Sequence, residues 1–237
     1  TDPERHVERI LSTMQRDLHM QELPRHIECF DNSNIQGTNP VSACVVFKNA
    51  KSSKKDYRIF NVKTVQGPDD FATMREAIYR RYHRVLEENE PLPQLLIIDG
   101  GKGQLSAAME SLTLLGLRGK MAVIGIAKKL EEIYFPGDSD PLYLDKRSES
   151  LKLIQQLRDE AHRFGLSKHR NRRSKEAIQT ELTQIPGLGI QSAQKLLRHF
   201  GSVENIKQQS KETLSTIVSK PIASKVFQYF QLPTDLG

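Results

Sequence analysis

Long apolar runs are missing from this sequence. No stretch approaches the roughly 20 consecutive apolar residues of a membrane span, although 37% of the 237 residues are hydrophobic. That predicts one or two globular domains with a true core and no membrane partner. Cysteine is scarce as well. The two present, Cys29 and Cys44, fall inside apparent strands. They predict reduced core thiols of a cytoplasmic protein rather than a disulfide framework. No secretory signal is read in the sequence, and none is expected. An initial methionine is also lacking, since the chain opens at Thr1, and a fragment of something longer is expected.

Acidic charge is in the minority. The formal net charge is +6, which favours a polyanionic partner. Lys168 to Lys175, KHRNRRSK, holds five Lys or Arg residues and no acid. Such a run is either a solvated linker or a basic link between two DNA-facing domains.

The stretch that organises the chain is LLIIDGGKGQL, Leu95 to Leu105. Four apolar residues lead to Asp99 and stop at Gly100-Gly101, which reads as a buried strand followed by a helix. An acid at the carboxyl end of a strand stands where open α/β sheets place their sites. It is also an ordinary helix N-cap.

Upstream, Val7, Ile10, Leu11, Met14 and Leu18 have helical spacing. RHIECFD then reads as a strand ending at Asp31. VSACVVF from Val41 is a second strand, KSSKK a turn, and Tyr57 to Thr64 a third strand. Three strands with short connections form an antiparallel meander. Asp69 and Asp70 open a helix through Met74, Ile78, Tyr82 and Leu86, where acids suit the helix dipole. After Leu95 to Asp99 and its helix, Ala122 to Ile126 makes a fifth strand. Residues 127–150 are a polar excursion, a candidate hairpin, and Leu151 to Phe164 is helical again.

This order predicts an α/β fold: a ribonuclease H-like mixed five-stranded sheet with flanking helices. In that topology the first and fourth strands are parallel neighbours, so Asp31 and Asp99 lie side by side. Two carboxylates that close call for a hard cation between them, and Asp70 could add a third oxygen.

Residues 178–232 differ in character. IPGLG, Ile185 to Gly189, separates two helical segments, with Lys195 and Arg198 one and two turns on. Gly187 and Gly189 let backbone N–H groups approach a phosphate at a helix start. The pattern is a helix-hairpin-helix, or else a plain αα-hairpin. A second copy, Leu214 to Phe230, turns at Ser219-Lys220-Pro221 without glycine, which weakens its phosphate contact. A pair of hairpins makes a small all-α domain that grips DNA without reading bases.

The motifs ECFDNSN, GPDDFATMREAIYRRY, LLIIDGGKGQL, LRDEAHRF and IPGLG occur in this order. Together the sequence resembles the C-terminal half of the UvrC family, the nuclease subunit of bacterial UvrABC excision repair. The resemblance implies a metal-dependent endonuclease cutting on the 5′ side of a lesion in double-stranded DNA, within the SOS response. It implies Asp31, Asp70 and Asp99 as catalytic acids holding Mg²⁺ or Mn²⁺, and His162 as a catalytic residue acting as ligand, base or orienter. Glu160 ranks below them, because a helical position two residues from His162 points elsewhere. The family's histidine after ECFD-x-S is replaced by Asn34.

The division expected is a linker helix at 1–25, the nuclease domain at 26–168, a basic linker at 169–177 and the tandem hairpins at 178–232. DNA contacts are expected from Gly187, Gly189, Lys195, Arg198, Arg80, Arg81, Lys168, Arg170, Arg172 and Arg173. Lys102 is either a phosphate contact or a solvated lysine. UvrB, docking outside this chain, and UvrA would supply the lesion to a monomer. The rival readings are a DNA-binding module with a dead core, and another ribonuclease H-like nuclease such as a junction resolvase.

Overall fold

The structure, a computed structural model, describes residues 2–33, 40–65, 69–127 and 132–231, with the side chains of 169–180 outside that set. The chain divides into two compact units, Thr1–Lys168 and His169–Gly237.

The first unit is built on one mixed sheet. Its strands are β1 (His26–Ser33), β2 (Val41–Lys48), β3 (Lys51–Ser52), β4 (Arg58–Asn61), β5 (Leu95–Asp99), β6 (Ala122–Ile126), β7 (Glu132–Tyr134) and β8 (Leu142–Tyr143). They lie in the order β3-β2-β1-β5-β6-β7-β8, with β4 also paired to β2. β1 runs antiparallel to β2 and parallel to β5, and β5 is parallel to β6. The fold class matches the sequence reading. The strand count does not: among the described residues the sheet has eight strands where five were expected. The polar excursion forms the β7–β8 hairpin, which extends the sheet past β6 with Ile133 fully buried. Lys51–Ser52, read as turn, pairs briefly with β2. The strand expected over Tyr57 to Thr64 shrinks to β4, because Lys54–Asp56 forms a 3₁₀ turn and Tyr57 is drawn into the core.

Helices close both faces of this sheet. α1 (Pro3–Asp17) starts at Asp2, whose carboxylate accepts from the Glu4 N–H, with proline in the first turn. Met14 and Leu18 join the sheet's core, so the expected linker helix is packed onto the domain. α2 (Asp70–Glu87) is capped by Asp69, whose side chain accepts from Ala72 N–H. α3 is Lys102–Leu114. Between sheet and helices lie Phe30, Met74, Ile78, Tyr82 and the run Leu95 to Ile98, all fully buried. Each such side chain stabilises the fold by roughly 1.5–3 kcal/mol. Cys29 and Cys44 are free, buried thiols.

α4 runs from Glu149 to Leu182, 34 residues. The sequence reading ended this helix near Phe164 and placed a linker at 169–177; the backbone instead stays helical throughout. No proline or glycine lies between Gly165 and Pro186, so nothing in that stretch breaks a helix.

The second unit continues with α5 (Ile190–Phe200), α6 (Val203–Lys207), α7 (Lys211–Leu214) and α8 (Lys220–Gln231). Its own core joins Leu182, Ile185, Leu196, Ile206, Leu214 and Val226. Among the described residues no helix is long and apolar enough to cross a membrane.

Candidate active site

Strand register creates the site. In the parallel pair of β1 and β5, Cys29 faces Ile97 and Phe30 faces Ile98. One step further, Asp31 and Asp99 stand next to each other at the carboxyl ends of both strands. Side chains alternate along a strand, so Asp31 shares a face with Cys29 and Ile27. Glu28, Phe30 and Asn32 point to the opposite face, toward α2. There Glu28 meets Arg81 and Tyr82, and Asn32 donates to the Asp70 carbonyl at 2.9 Å.

α4 covers the Asp31 side. His162 Nδ1 lies 3.2 Å from Asp31 Oδ2. One helical turn earlier, Arg158 Nε lies 3.4 Å from Asp99 Oδ1. Residues four apart share a helix face, so a single turn of α4 contacts both carboxylates. Arg158 was missed in the sequence, although its spacing from His162 was a usable signal.

The carboxylates sit in poor surroundings for two negative charges. Burial, and then the adjacent charge of Asp99, push Asp31 up to about 7, against the pull of His162. Burial raises Asp99 as well, with Arg158 pulling the other way. The Cys29 thiol, behind the pair, is pushed well up by burial and by both carboxylates. A pair in this state is relieved by a shared proton or a cation. Two oxygen donors with an imidazole beside them suit a hard divalent ion. Among the described residues, however, no three His, Cys, Asp or Glu side chains converge on one point. Asp99 is instead engaged by a guanidinium.

The other expected site residues fall in different places. Asp70 is the first residue of α2, and Asn32 ties its backbone to β1 right beside Asp31. Among the described residues, no hydrogen bond or ion pair joins its carboxylate to Asp31, Asp99 or His162. Glu160 does turn to another face, where it pairs with Arg163 and accepts from the Tyr57 hydroxyl. Lys102 opens α3, its Nζ 5.3 Å from the Tyr134 ring centre. Asn34 lies outside the described residues.

Arg81, expected on a DNA track, has a side chain 11% exposed and is bonded through Nε and a terminal nitrogen to Glu28. Burial alone would raise the Glu28 carboxyl, but hydrogen bonds from His26 and Arg81 outweigh it and hold Glu28 down at about 2. Arg80 is likewise engaged by the protein, donating to the Asn61 carbonyl and Glu76 and lying over the Phe60 ring. Both arginines fasten α2 to the sheet.

In the second unit, Gly187 has φ +83°, and a Cβ there would lie 2.4 Å from Lys225 Nζ of α8. Gly189 is the N-cap of α5, in extended conformation with open space around it. Lys195 and Arg198 are exposed on α5. The second turn leads into α8 at Lys220-Pro221, without glycine, as read from the sequence. Lys168 Nζ lies 5.5 Å from the Phe164 ring centre. The side chains of Arg170, Arg172 and Arg173 lie outside the described residues.

A mixed sheet with two acids at the ends of adjacent parallel strands, followed by a small helical unit with a glycine turn, defines a ribonuclease H-like domain joined to helix-hairpin-helix motifs. Residues 15–166 match the family of the UvrC RNAse H endonuclease domain, and residues 180–227 match the SAM-like helix-hairpin-helix tandem. The chain belongs to the UvrC family. It is 61% identical to the UvrABC system protein C of Flavobacterium johnsoniae over 97% of its length, and 58% identical to that of Porphyromonas gingivalis over 96%. It spans 38% of each of these relatives. Among solved structures, human ENDOV superimposes with TM-score 0.38 at 12% identity, covering 70% of this chain and 99% of that one. Ciona intestinalis endonuclease V bound to inosine-containing DNA gives TM-score 0.34 at 19% identity, covering 68% and 69%. These superpositions are too loose to carry a functional conclusion.

Proposed function

We propose that the chain is a divalent-metal-dependent endodeoxyribonuclease that makes the 5′ incision beside a lesion during bacterial excision repair. The observation that carries the reading is the largely buried Asp31–Asp99 pair with His162 against it, in a chain of the UvrC family. Asp31 and Asp99 would hold Mg²⁺ or Mn²⁺, with Asp70 contributing an oxygen from the mouth of α2. An ion held there would supply electrophilic activation of the phosphodiester and acidify the attacking water.

The remaining work falls to side chains. Asp31 orients the His162 ring through Nδ1, which leaves Nε2 free to accept or deliver a proton on the substrate side. Both acids stand at the carboxyl ends of the central strands β1 and β5, so little reorganisation would accompany reaction. Lys195 and Arg198, with the Gly187–Gly189 turn, would bind backbone phosphates independently of sequence. Lys102 would add one contact at the start of α3. Arg170, Arg172 and Arg173 belong to the same basic stretch in sequence. UvrA and UvrB would deliver the lesion.

The test is incision of a lesion duplex already nicked on the 3′ side. It uses full-length protein with UvrA, UvrB, ATP and Mg²⁺, and products mapped to the nucleotide. The reading predicts a 5′ cut that EDTA abolishes and His162→Ala lowers by at least ~10²-fold. A 5′ cut unaffected by both would overturn it.

A further inference from the structure

Two arginines of this domain each hold a carboxylate through two nitrogens. Arg81 grips Glu28 with two nitrogens, and Arg163 grips Glu160 with two at 2.6 and 2.8 Å. These are the paired, geometrically matched contacts expected of structural arginines. Arg158 is different. Its one ion pair is Nε to Asp99 Oδ1 at 3.4 Å. Its terminal nitrogens carry no other ion pair or hydrogen bond among the described residues. The side chain is 24% exposed, so this open end of the guanidinium stands at the edge of the site rather than inside the core.

Position adds a second point. Arg158 and His162 occupy the same face of α4 one turn apart, one on each carboxylate. Arg158 therefore provides a positive charge at the acid that would bind a metal. A guanidinium and a divalent ion compete for the same carboxylate oxygens, and the ion carries twice the charge.

We propose that Arg158 is a placeholder cation that a divalent metal displaces from Asp99, and that its released guanidinium then binds the phosphate being cut. The inference rests on the nuclease reading above. With Asp99 engaged by Arg158, the pair keeps a compensating charge before metal arrives. Once the metal holds Asp99, the two cations repel. The phosphate is the nearest anion the site is built to receive, and the planar fork of an arginine matches its oxygens. Arg158 then stabilises negative charge that grows on those oxygens in the transition state.

The two halves make opposite predictions for one variant. Mn²⁺ binding is measured on the 237-residue chain without DNA, by water-proton relaxation. Arg158→Met keeps length and removes charge, so it is expected to bind Mn²⁺ several-fold more tightly than wild type, and Arg158→Lys to fall between them. Asp99→Asn, as control, is expected to bind far more weakly. At saturating Mn²⁺, incision by full-length Arg158→Met is expected to fall about 10²-fold or more, mainly in kcat, as for loss of one transition-state donor. A purely structural arginine would give neither the gain in metal affinity nor a selective loss of kcat.

Mn²⁺ affinity that is unchanged or weaker in folded Arg158→Met overturns the displacement. Incision that is undiminished at saturating Mn²⁺ overturns the phosphate contact. Wild type that binds no Mn²⁺ overturns both the inference and the nuclease reading. Wild type that binds Mn²⁺ yet never cuts sinks the nuclease reading, while tighter binding by Arg158→Met still upholds displacement from Asp99.

Discussion

His162 Nδ1 and Asp31 Oδ2 meet at 3.2 Å across 131 residues of sequence. The imidazole is mostly exposed, at 62%, whereas the carboxylate is 10% exposed. The histidine thus stands on the solvent side of an acid that is almost closed off. It can be removed without opening the core. We expect His162→Ala to leave the thermal midpoint within about 2 °C, a surface-substitution effect, while incision is lost. Differential scanning calorimetry beside the cleavage assay checks this, and a large drop in stability would show that His162 is chiefly a packing residue.

The Asp31 carboxyl gives a pH signature. Its folded value, about 7, lies above the ordinary 3.8. An acid raised on folding favours the folded state fully below its unfolded value, and that contribution is lost as pH rises to the folded value. Metal-free protein should therefore lose stability between about pH 4 and pH 7, on the order of a few kcal/mol. Asp31→Asn removes the penalty. We predict a higher midpoint than wild type at pH 8 without metal, and no advantage near pH 4. A variant that is less stable than wild type at pH 8 would contradict the strain at this pair.

Glu28 behaves in the opposite sense. Its folded value, about 2, lies below the ordinary 4.5. Its contribution is fully present above pH 4.5 and disappears as pH falls toward 2. Glu28→Gln leaves Arg81 buried without a partner charge, and breaking such a pair costs roughly 3–5 kcal/mol. Urea unfolding at pH 7 measures this. The two carboxyls on β1 should be separable by pH alone: Glu28 through acid unfolding, Asp31 through behaviour near neutrality.

The glycine turn of the second unit separates fold from contact. Gly187 has φ +83° and packs against Lys225, so Gly187→Ala is strained by roughly 1–2 kcal/mol of backbone energy in addition to the collision. Gly189 has φ −79° and open space. Gly189→Ala should fold normally and weaken DNA binding only by crowding a phosphate. Circular dichroism melts and duplex binding by anisotropy separate the two effects.

Salt dependence tests which arginines face DNA. Lys195→Ala should reduce the slope of log affinity against log salt by about 0.9, one phosphate contact. Arg81→Ala should leave that slope unchanged and lower stability instead. An altered slope for a folded Arg81 variant would contradict its assignment to the interior.

Much of this site was readable from the chain, for reasons that differ by residue. Asp99 is marked by an apolar run halted at Gly100-Gly101, and Asp31 by a strand ending in an acid; only the parallel register of β1 and β5 makes them neighbours. His162 has no local signal, since a histidine on a polar helix is ordinary until the strand opposite is known. Arg158 escaped notice although the spacing to His162 placed both on one face. Arg81 suggests a DNA contact by its charge alone, because its partner Glu28 lies on another element, far away in sequence. The basic run from Lys168 read as a linker from composition, yet with no glycine or proline to end it, the helix carried on. The β7–β8 hairpin was expected only in outline, because its strands of three and two residues are too short for alternation to register.

The most direct test of the account is 5′ incision by full-length protein bearing Asp99→Asn, on a prenicked lesion duplex with UvrA, UvrB, ATP and Mg²⁺. The account predicts a folded protein that still binds DNA and makes no 5′ cut, because one of the two metal-holding carboxylates is gone. A folded Asp99→Asn protein that cuts 5′ at the wild-type rate would contradict it and leave a DNA-binding module whose chemistry lies elsewhere.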